Sequence, residues 1–257
     1  VRYETLGPLR VIDGDHTSAI GARKIETVLA VLLIKADQVV TSEQLINEVW
    51  GDQIPRRATA GLHVYISQLR KFLSREDRPG NPVVTRPTGY LLHRGSDEID
   101  FQSFLHLAAR GRTLARERQH EEALETLEAA LSLWRGAVFG DLRSGAVIGG
   151  FVAWLAETRL ECLEMLADLY LEVGRHREMV GKLYSLTVEH PLREAFYRQL
   201  MLALYRSERQ ADALRVYQTA RSLLHDELAV EPCRALRNLH HAILAADDRL
   251  DFHAAPA

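Results

Sequence analysis

Apolar and polar positions change their rhythm along this chain. Residues 2–20 alternate and are broken by Gly7-Pro8 and Asp13-Gly14, a pattern of short strands and turns. From Ala22 to Asp37, Ile25, Val28, Leu29, Leu32 and Leu33 recur at helical spacing. In the next segment, VVTSEQLINEVWG, Thr41 or Ser42 can cap a helix and Gln44 stands at capping-box distance from Thr41. Leu45, Ile46, Val49 and Trp50 form the predicted apolar face, and Gly51 ends the helix. After the loop DQIPRR a third helix is predicted over Ala58–Ser74, with Leu62, Ile66, Leu69 and Leu73 on one face. The polar loop REDRPGNP then leads to VVTRPTGYLL, Val83–Leu92, which reads as a hairpin with Arg86 near its tip.

Beyond Ile99 the pattern is helical. Three helix pairs are predicted: 100–119 with 120–134, 156–174 with 175–190, and 191–208 with 209–228. Leu166, Leu169, Tyr170, Gly174 and Arg175 align with Leu200, Ala203, Leu204, Glu208 and Arg209 at an offset of 34. HEEALETL (His120–Leu127) likewise resembles QADALRVY (Gln210–Tyr217). A helix–turn–helix period of about 34 residues is that of tetratricopeptide arrays. The Gly-rich stretch FGDLRSGAVIGG (Phe139–Gly150) reads as a loop interrupting the array, and the tail DDRLDFHAAPA as frayed. The predicted fold is an α+β N-terminal winged helix-turn-helix domain over residues 1–95, followed by an all-α tetratricopeptide-like domain over 96–257.

Composition adds little beyond class. The chain has 257 residues, 47% of them hydrophobic and 26% charged, enough apolar material for a full core. Charge is uneven: residues 1–96 carry 13 Lys and Arg against 10 Asp and Glu, and the remainder 19 against 25. The front part therefore leans towards anionic partners. Cys162 and Cys233 have neither metal nor disulfide spacing and read as buried thiols in a reducing compartment. VRYETLGPLRV lacks the charged-then-apolar order of a signal peptide, and the apolar run Thr27–Ile34 is too short to span a bilayer. A cytoplasmic, nucleoid-associated protein without membrane partners is expected.

Catalytic motifs are missing. Gly140 and Gly145 have the spacing of a Walker loop, but Ala-Val follows where Lys-Ser/Thr is required. His120 begins HEEAL, with Leu124 in place of the second zinc-binding histidine. The eleven histidines show no ligand spacing, and His240-His241 read as surface residues. No enzyme activity, cofactor or metal is expected.

The positive signal is the third helix with its hairpin. Opposite its buried arc lie Ala60, Val64, Ser67, Gln68 and Lys71, with Thr59, His63 and Arg70 on one flank and Tyr65 on the other. Ala60 and Val64 allow close approach to a groove and can touch thymine methyls. Gln68 can pair with adenine and Ser67 with several bases. Arg56, Arg57, Arg70 and Lys71 suit phosphates. The helix starts at Thr41–Ser42 and near Thr59 offer amides to phosphate as well. Two other readings stand beside this one: an ordinary solvated helix, and a winged helix that pairs with protein. His63 and Tyr65 divide evenly between groove contact and packing, while Trp50 is expected in the core.

TSEQLINEVW, LHVYISQLRKFL and VVTRPTGYLL together resemble an OmpR-type winged-helix domain, and Arg86, Gly89 and Tyr90 match the wing motif whose arginine enters the minor groove. LSLWRGAVFGDL (Leu131–Leu142) with Glu189–Pro232 is similar to the bacterial transcriptional activation domain. The two together resemble the Streptomyces antibiotic regulatory proteins, in a short form without an ATPase module. That resemblance implies an activator binding direct repeats in double-stranded DNA and recruiting RNA polymerase holoenzyme to antibiotic or other secondary-metabolite genes. It also implies that the loop Gly51, Asp52, Gln53, Ile54, Pro55 contacts polymerase, and that the helical domain serves protomer pairing or polymerase contact. Ser67 and Gln68 stand where relatives often carry arginines. The weaker phosphate pull fits a dimer or multimer on adjacent repeats.

Overall fold

Strand alternation at the N-terminus produces β1 (Arg2–Glu4), β2 (Arg10–Asp13) and β3 (His16–Ser18), an antiparallel meander that buries the facing pair Tyr3 and Val11. The computed structural model describes residues 1–74, 80–142 and 145–252. Residues 75–79 of the expected polar loop and the last five residues of the expected frayed tail lie outside them. The chain divides into two compact units, residues 1–107 with 129–159, and residues 108–128 with 160–257.

In the first unit, α1 (Arg23–Ile34) is buried on more than the predicted stripe: Thr27, Ala30 and Val31 are enclosed too. β4 (Val40–Thr41) leads into α2 (Ser42–Trp50), which opens with the predicted capping box. Gln44 N donates to Thr41 Oγ1 and Thr41 N donates to Gln44 Oε1, both at 3.1 Å. α3 (Ala58–Leu73) follows, then the hairpin β5 (Val83–Arg86) and β6 (Gly89–Leu92). β4 pairs with β6, giving a three-stranded sheet in the order β4-β6-β5. β7 (Glu98–Ile99) lies parallel to β1 and completes a four-stranded sheet. Sequence rhythm missed β4 and β7 because two residues carry no alternation; only their partners make them strands.

The buried face of α2 differs from the prediction. Leu45 is enclosed, but so is Glu48 at 3% exposure, while Ile46, Val49 and Trp50 are half-exposed. The Glu48 carboxylate accepts from Val147 N (3.1 Å) and Ile148 N (2.8 Å), the free amides in the first turn of α6 (Gly145–Glu172). A carboxylate satisfies orphan donors there and meets the positive end of the helix dipole. Gly145, at φ +75°, leaves room for it: a Cβ would stand 2.2 Å from the Glu48 carboxyl. Residues 145–150, expected as loop, are therefore helical. Their cap comes from a hundred residues upstream, beyond the reach of local pattern.

The same unit holds the first part of α4 (Asp100–Arg116) and the end of α5 (His120–Ser132). Asp100 is buried and accepts from Thr5 N (2.8 and 2.9 Å), Thr5 Oγ1 (2.5 Å) and Leu6 N (3.0 Å). Arg135 stands 3.6 Å from it and 3.3 Å from Glu4. Phe101, Phe104, Trp134, Phe139 and Phe151 pack edge-on or tilted around this joint.

The second unit contains the rest of those helices with α7 (His176–Glu189), α8 (Glu194–Tyr205), α9 (Gln210–Leu228), α10 (Arg234–Leu244) and a short 3-10 turn at Asp248–Leu250. The weak sequence repeat has a backbone counterpart. Arg118, Gly174 and Glu208 all sit in left-handed conformation at φ +60°, +79° and +63°. Each amide donates to the carbonyl three residues back, Ala115, Leu171 and Tyr205. Only one of the three is glycine, which is why the period is faint in sequence. α10 carried no expectation; Leu236 and Ile243 anchor it. In the tail, Phe252 abuts the turn at Gly174. Cys162 is buried, which pushes its thiol up to about 11, whereas Cys233 is exposed, against the expectation of two buried thiols. His240 is half-buried, stacked on Tyr217 at 3.8 Å between ring centroids.

Candidate nucleic-acid interface

α3 is built to present one face. Ala58, Leu62, Ile66, Leu69 and Leu73 are buried, so Thr59, Ala60, His63, Val64, Ser67, Gln68 and Lys71 all point to solvent. Val64 is 51% exposed, an apolar side chain on an otherwise small and polar face. Its start has no side-chain cap, leaving the turn at Thr59–Ala60 open to an acceptor. Arg56 and Arg57 are exposed immediately before it. Among the described residues, Arg56, Arg57, Lys71 and Arg86 form no ion pair, which keeps four cations available around one polar surface.

Tyr65 packs inward. Its ring stacks on Trp50 (centroids 5.6 Å apart, 27° between planes), and Lys24 Nζ lies 5.1 Å over Trp50. Trp50, expected in the core, is thus a half-exposed bracket between α2 and α3. Gly61 lets it close in, since a Cβ there would meet its ring at 3.2 Å. Among the described residues His63 has no ring partner, and it faces solvent.

The start of α2 is less open to anions than the sequence suggests. Thr41 N and Gln44 N are used by the capping box, and Ser42 N donates to Thr88 O in the hairpin turn at 3.1 Å. Glu43 adds a carboxylate to that first turn. The same bond from Ser42 ties the hairpin tip to α2.

Arg86 ends β5, exposed, opposite Gly89, with Pro87 and Thr88 forming the turn. Gly89, matched to the wing motif by sequence, is needed for close packing. A Cβ there would sit 2.0 Å from Val40 O and 2.8 Å from Thr41 Cα, so glycine is required by the passage of β4. Tyr90 is buried and anchors the hairpin. At its far end Asp37 accepts from Arg94 N (3.0 Å) and contacts His93 Nδ1 (2.9 Å). These bonds, the backbone one first, hold the Asp37 carboxyl below the usual carboxylate range.

Arg70 is half-buried, off the outer face. Its Nε donates to Val83 O (2.9 Å) and its Nη2 to Thr85 Oγ1 (2.7 Å). Asn81, absent from the sequence-based site, donates from Nδ2 to Arg70 O (2.7 Å) and accepts from Val83 N (3.0 Å). No local pattern marks Asn81 or Thr85, whose partners lie 11 and 15 residues upstream. The loop Gly51–Pro55 is exposed throughout, with Ile54 at 49%.

Among the described residues, no cluster of three or more metal-binding side chains occurs, and no helix is long and apolar enough to cross a membrane.

Comparison with known proteins adds independent findings. Residues 99–244 match the family model of the bacterial transcriptional activator domain, and residues 21–92 match that of the C-terminal domain of transcriptional regulatory proteins. The chain is 36% identical to the regulatory protein DnrI of Streptomyces peucetius, over 98% of this chain and 94% of that one. It is 35% identical to the transcriptional regulatory protein MoaR1 of Mycobacterium tuberculosis, over 95% and 79%. Against the regulatory protein AfsR of Streptomyces coelicolor identity is 38%, over 97% of this chain and 25% of AfsR. Among solved structures, Mycobacterium tuberculosis EmbR in complex with a low-affinity phosphopeptide superposes with a TM-score of 0.88 at 32% identity, over 95% of this chain and 65% of that one.

Proposed function

This chain belongs to the Streptomyces antibiotic regulatory protein family of DNA-binding transcriptional activators, and from that premise we propose that it reads direct repeats upstream of secondary-metabolite promoters and recruits RNA polymerase holoenzyme there. It is a regulator, not an enzyme. Residues 1–95 act as the DNA-binding part and 96–257 as the activation part. That functional boundary falls inside the first compact unit, which extends to Leu107.

The observation that carries the reading is the outer face of α3. Small and polar side chains, Ala60, Val64, Ser67 and Gln68, lie exposed in a row between available cations, the composition needed to approach base edges and hold phosphates. Gln68 reads adenine, Ser67 supplements it, and Ala60 and Val64 pack on thymine methyls. Thr59 and His63 face the groove wall, Arg56, Arg57 and Lys71 hold phosphates, and Arg86 enters the minor groove. At α2 the available groups for phosphate are the side chains of Thr41 and Ser42, because their amides are engaged.

Titration of the full chain on promoter and scrambled duplexes tests this. Gln68→Ala is expected to lower promoter affinity by about 1–3 kcal/mol with little change on scrambled DNA. Arg86→Ala is expected to weaken binding and to shallow the dependence of log K on log salt by about one unit. Equal binding of both variants and wild type to both duplexes would remove the site and favour a protein partner for the winged helix.

The exposed loop Gly51–Pro55 is the proposed polymerase contact, with Ile54 as its apolar centre. Ile54→Ser is expected to leave the fold intact, since surface changes shift stability by about 0.5 kcal/mol or less, and to leave DNA affinity near wild type, since Ile54 lies outside the outer face of α3. Activated transcription in a reconstituted assay should drop severalfold. Full activation by this variant would relocate the contact. A second protomer on the adjacent repeat is part of the same proposal, and sedimentation of the DNA complex would give the stoichiometry.

A further inference from the structure

We propose that Arg70 is a positioning residue for minor-groove reading: it clamps the wing strand to the recognition helix so that Arg86, one residue beyond the clamp, is aimed. This rests on the reading of α3 and the hairpin as the DNA interface.

The clamp is a closed set of four hydrogen bonds. The Arg70 guanidinium donates outward to Val83 O and Thr85 Oγ1, while the Arg70 carbonyl is held by Asn81, whose other amide atom accepts from Val83 N. Two side chains thus bind the C-terminal turn of α3 to β5, at the backbone of buried Val83 and at the side chain of exposed Thr85. β5 needs such support. In the order β4-β6-β5 it is an edge strand with four residues, hydrogen-bonded to a neighbour on one side only. Edge strands leave alternate carbonyls unpaired, and a short hairpin alone is marginally stable in water. Val83 O is one of those carbonyls. Its partner strand is fixed by β4, by buried Tyr90 and by the bond from Ser42 N to Thr88 O, so the β5 side is the one left free to swing. Arg70 and Asn81 close that side.

A phosphate contact predicts different chemistry. Phosphate recognition by a point charge accepts lysine readily; two bonds from Nε and Nη2 in a planar fork do not. The half-buried position of Arg70, against the exposed Lys71 next to it, also separates the two roles.

The test uses the full chain and a promoter duplex, with wild type, Arg86→Ala, Arg70→Lys and the double variant. Arg70→Lys is expected to lose affinity, about tenfold and no more than Arg86→Ala loses. In the Arg86→Ala background Arg70→Lys should cost nothing further, because its effect acts through Arg86. Thr85→Val removes one acceptor at an exposed strand position without threatening the fold, and its smaller loss should likewise vanish in that background. Near wild-type binding by Arg70→Lys, or losses that multiply in the double variant, would overturn the clamp and restore a direct phosphate contact. Undiminished binding by Arg86→Ala alone would overturn the interface reading itself, and the clamp with it, and is recognisable because it needs no Arg70 variant.

Discussion

Gly89→Ala is expected to lower stability by about 3 kcal/mol and to abolish promoter-specific binding. The added methyl would lie 2.0 Å from Val40 O and 2.8 Å from Thr41 Cα. Both are backbone atoms of β4, paired with Tyr90 and Gly89, so no rotamer change relieves the clash. Relief requires β4 and β6 to separate, which also removes the tie from Ser42 N to Thr88 O that holds the wing tip. Urea unfolding and duplex titration measure the two effects. Gly149→Ala is the matched control. A Cβ there meets nothing within 4 Å, and in a helix interior alanine is favoured over glycine by about 1 kcal/mol. A Gly89→Ala protein as stable as the Gly149→Ala protein would mean that β4 does not run where described.

Asp100→Ala is expected to cost about 3–5 kcal/mol, the loss typical when one partner of a buried charged network is removed. Three donors, Thr5 N, Thr5 Oγ1 and Leu6 N, lose their acceptor inside the protein, and Arg135 loses one of its two carboxylates. Thr5 is fully buried, so water cannot replace the missing oxygen. Asp100→Asn, which keeps one acceptor and loses the charge, should fall between Ala and wild type. Denaturant unfolding gives the ranking, and equal stability of Ala and wild type would deny the network a structural role. Because Asp100 and its partners Thr5, Leu6 and Arg135 belong to none of α3, β5 and β6, promoter affinity of the folded fraction should hardly change, which separates it from the wing variants.

Several parts of the interface were legible from the chain alone for a local reason. The capping box at Thr41 and Gln44 spans three residues, and the outward face of α3 follows from its four buried leucine and isoleucine positions. Helical geometry then places Ser67, Gln68 and Lys71 outside without reference to anything else. Tyr90 was marked only by its place in the wing motif, and its burial was left to the fold. By contrast, Trp50 read as core because it is large and apolar, yet it became a half-exposed bracket once Tyr65 and Lys24 were brought to its two sides. Arg70 read as a phosphate ligand because it is a cation on α3. Its neighbours Asn81, Val83 and Thr85 turn it inward, and they reach it only after β5 returns beside α3.

The sequence by itself determined the three helices and the hairpin of the winged helix, their order before helical pairs, and the side of α3 that faces outward, since periodicity and caps act within a few residues. Tertiary structure alone decided where β4 and β7 pair and why α6 starts at Gly145 under the Glu48 carboxylate. It also decided why residue 89 must be glycine. In each case the deciding atom belongs to a segment distant in sequence, and a strand edge, a helix end or an approaching backbone carries no mark until its partner arrives.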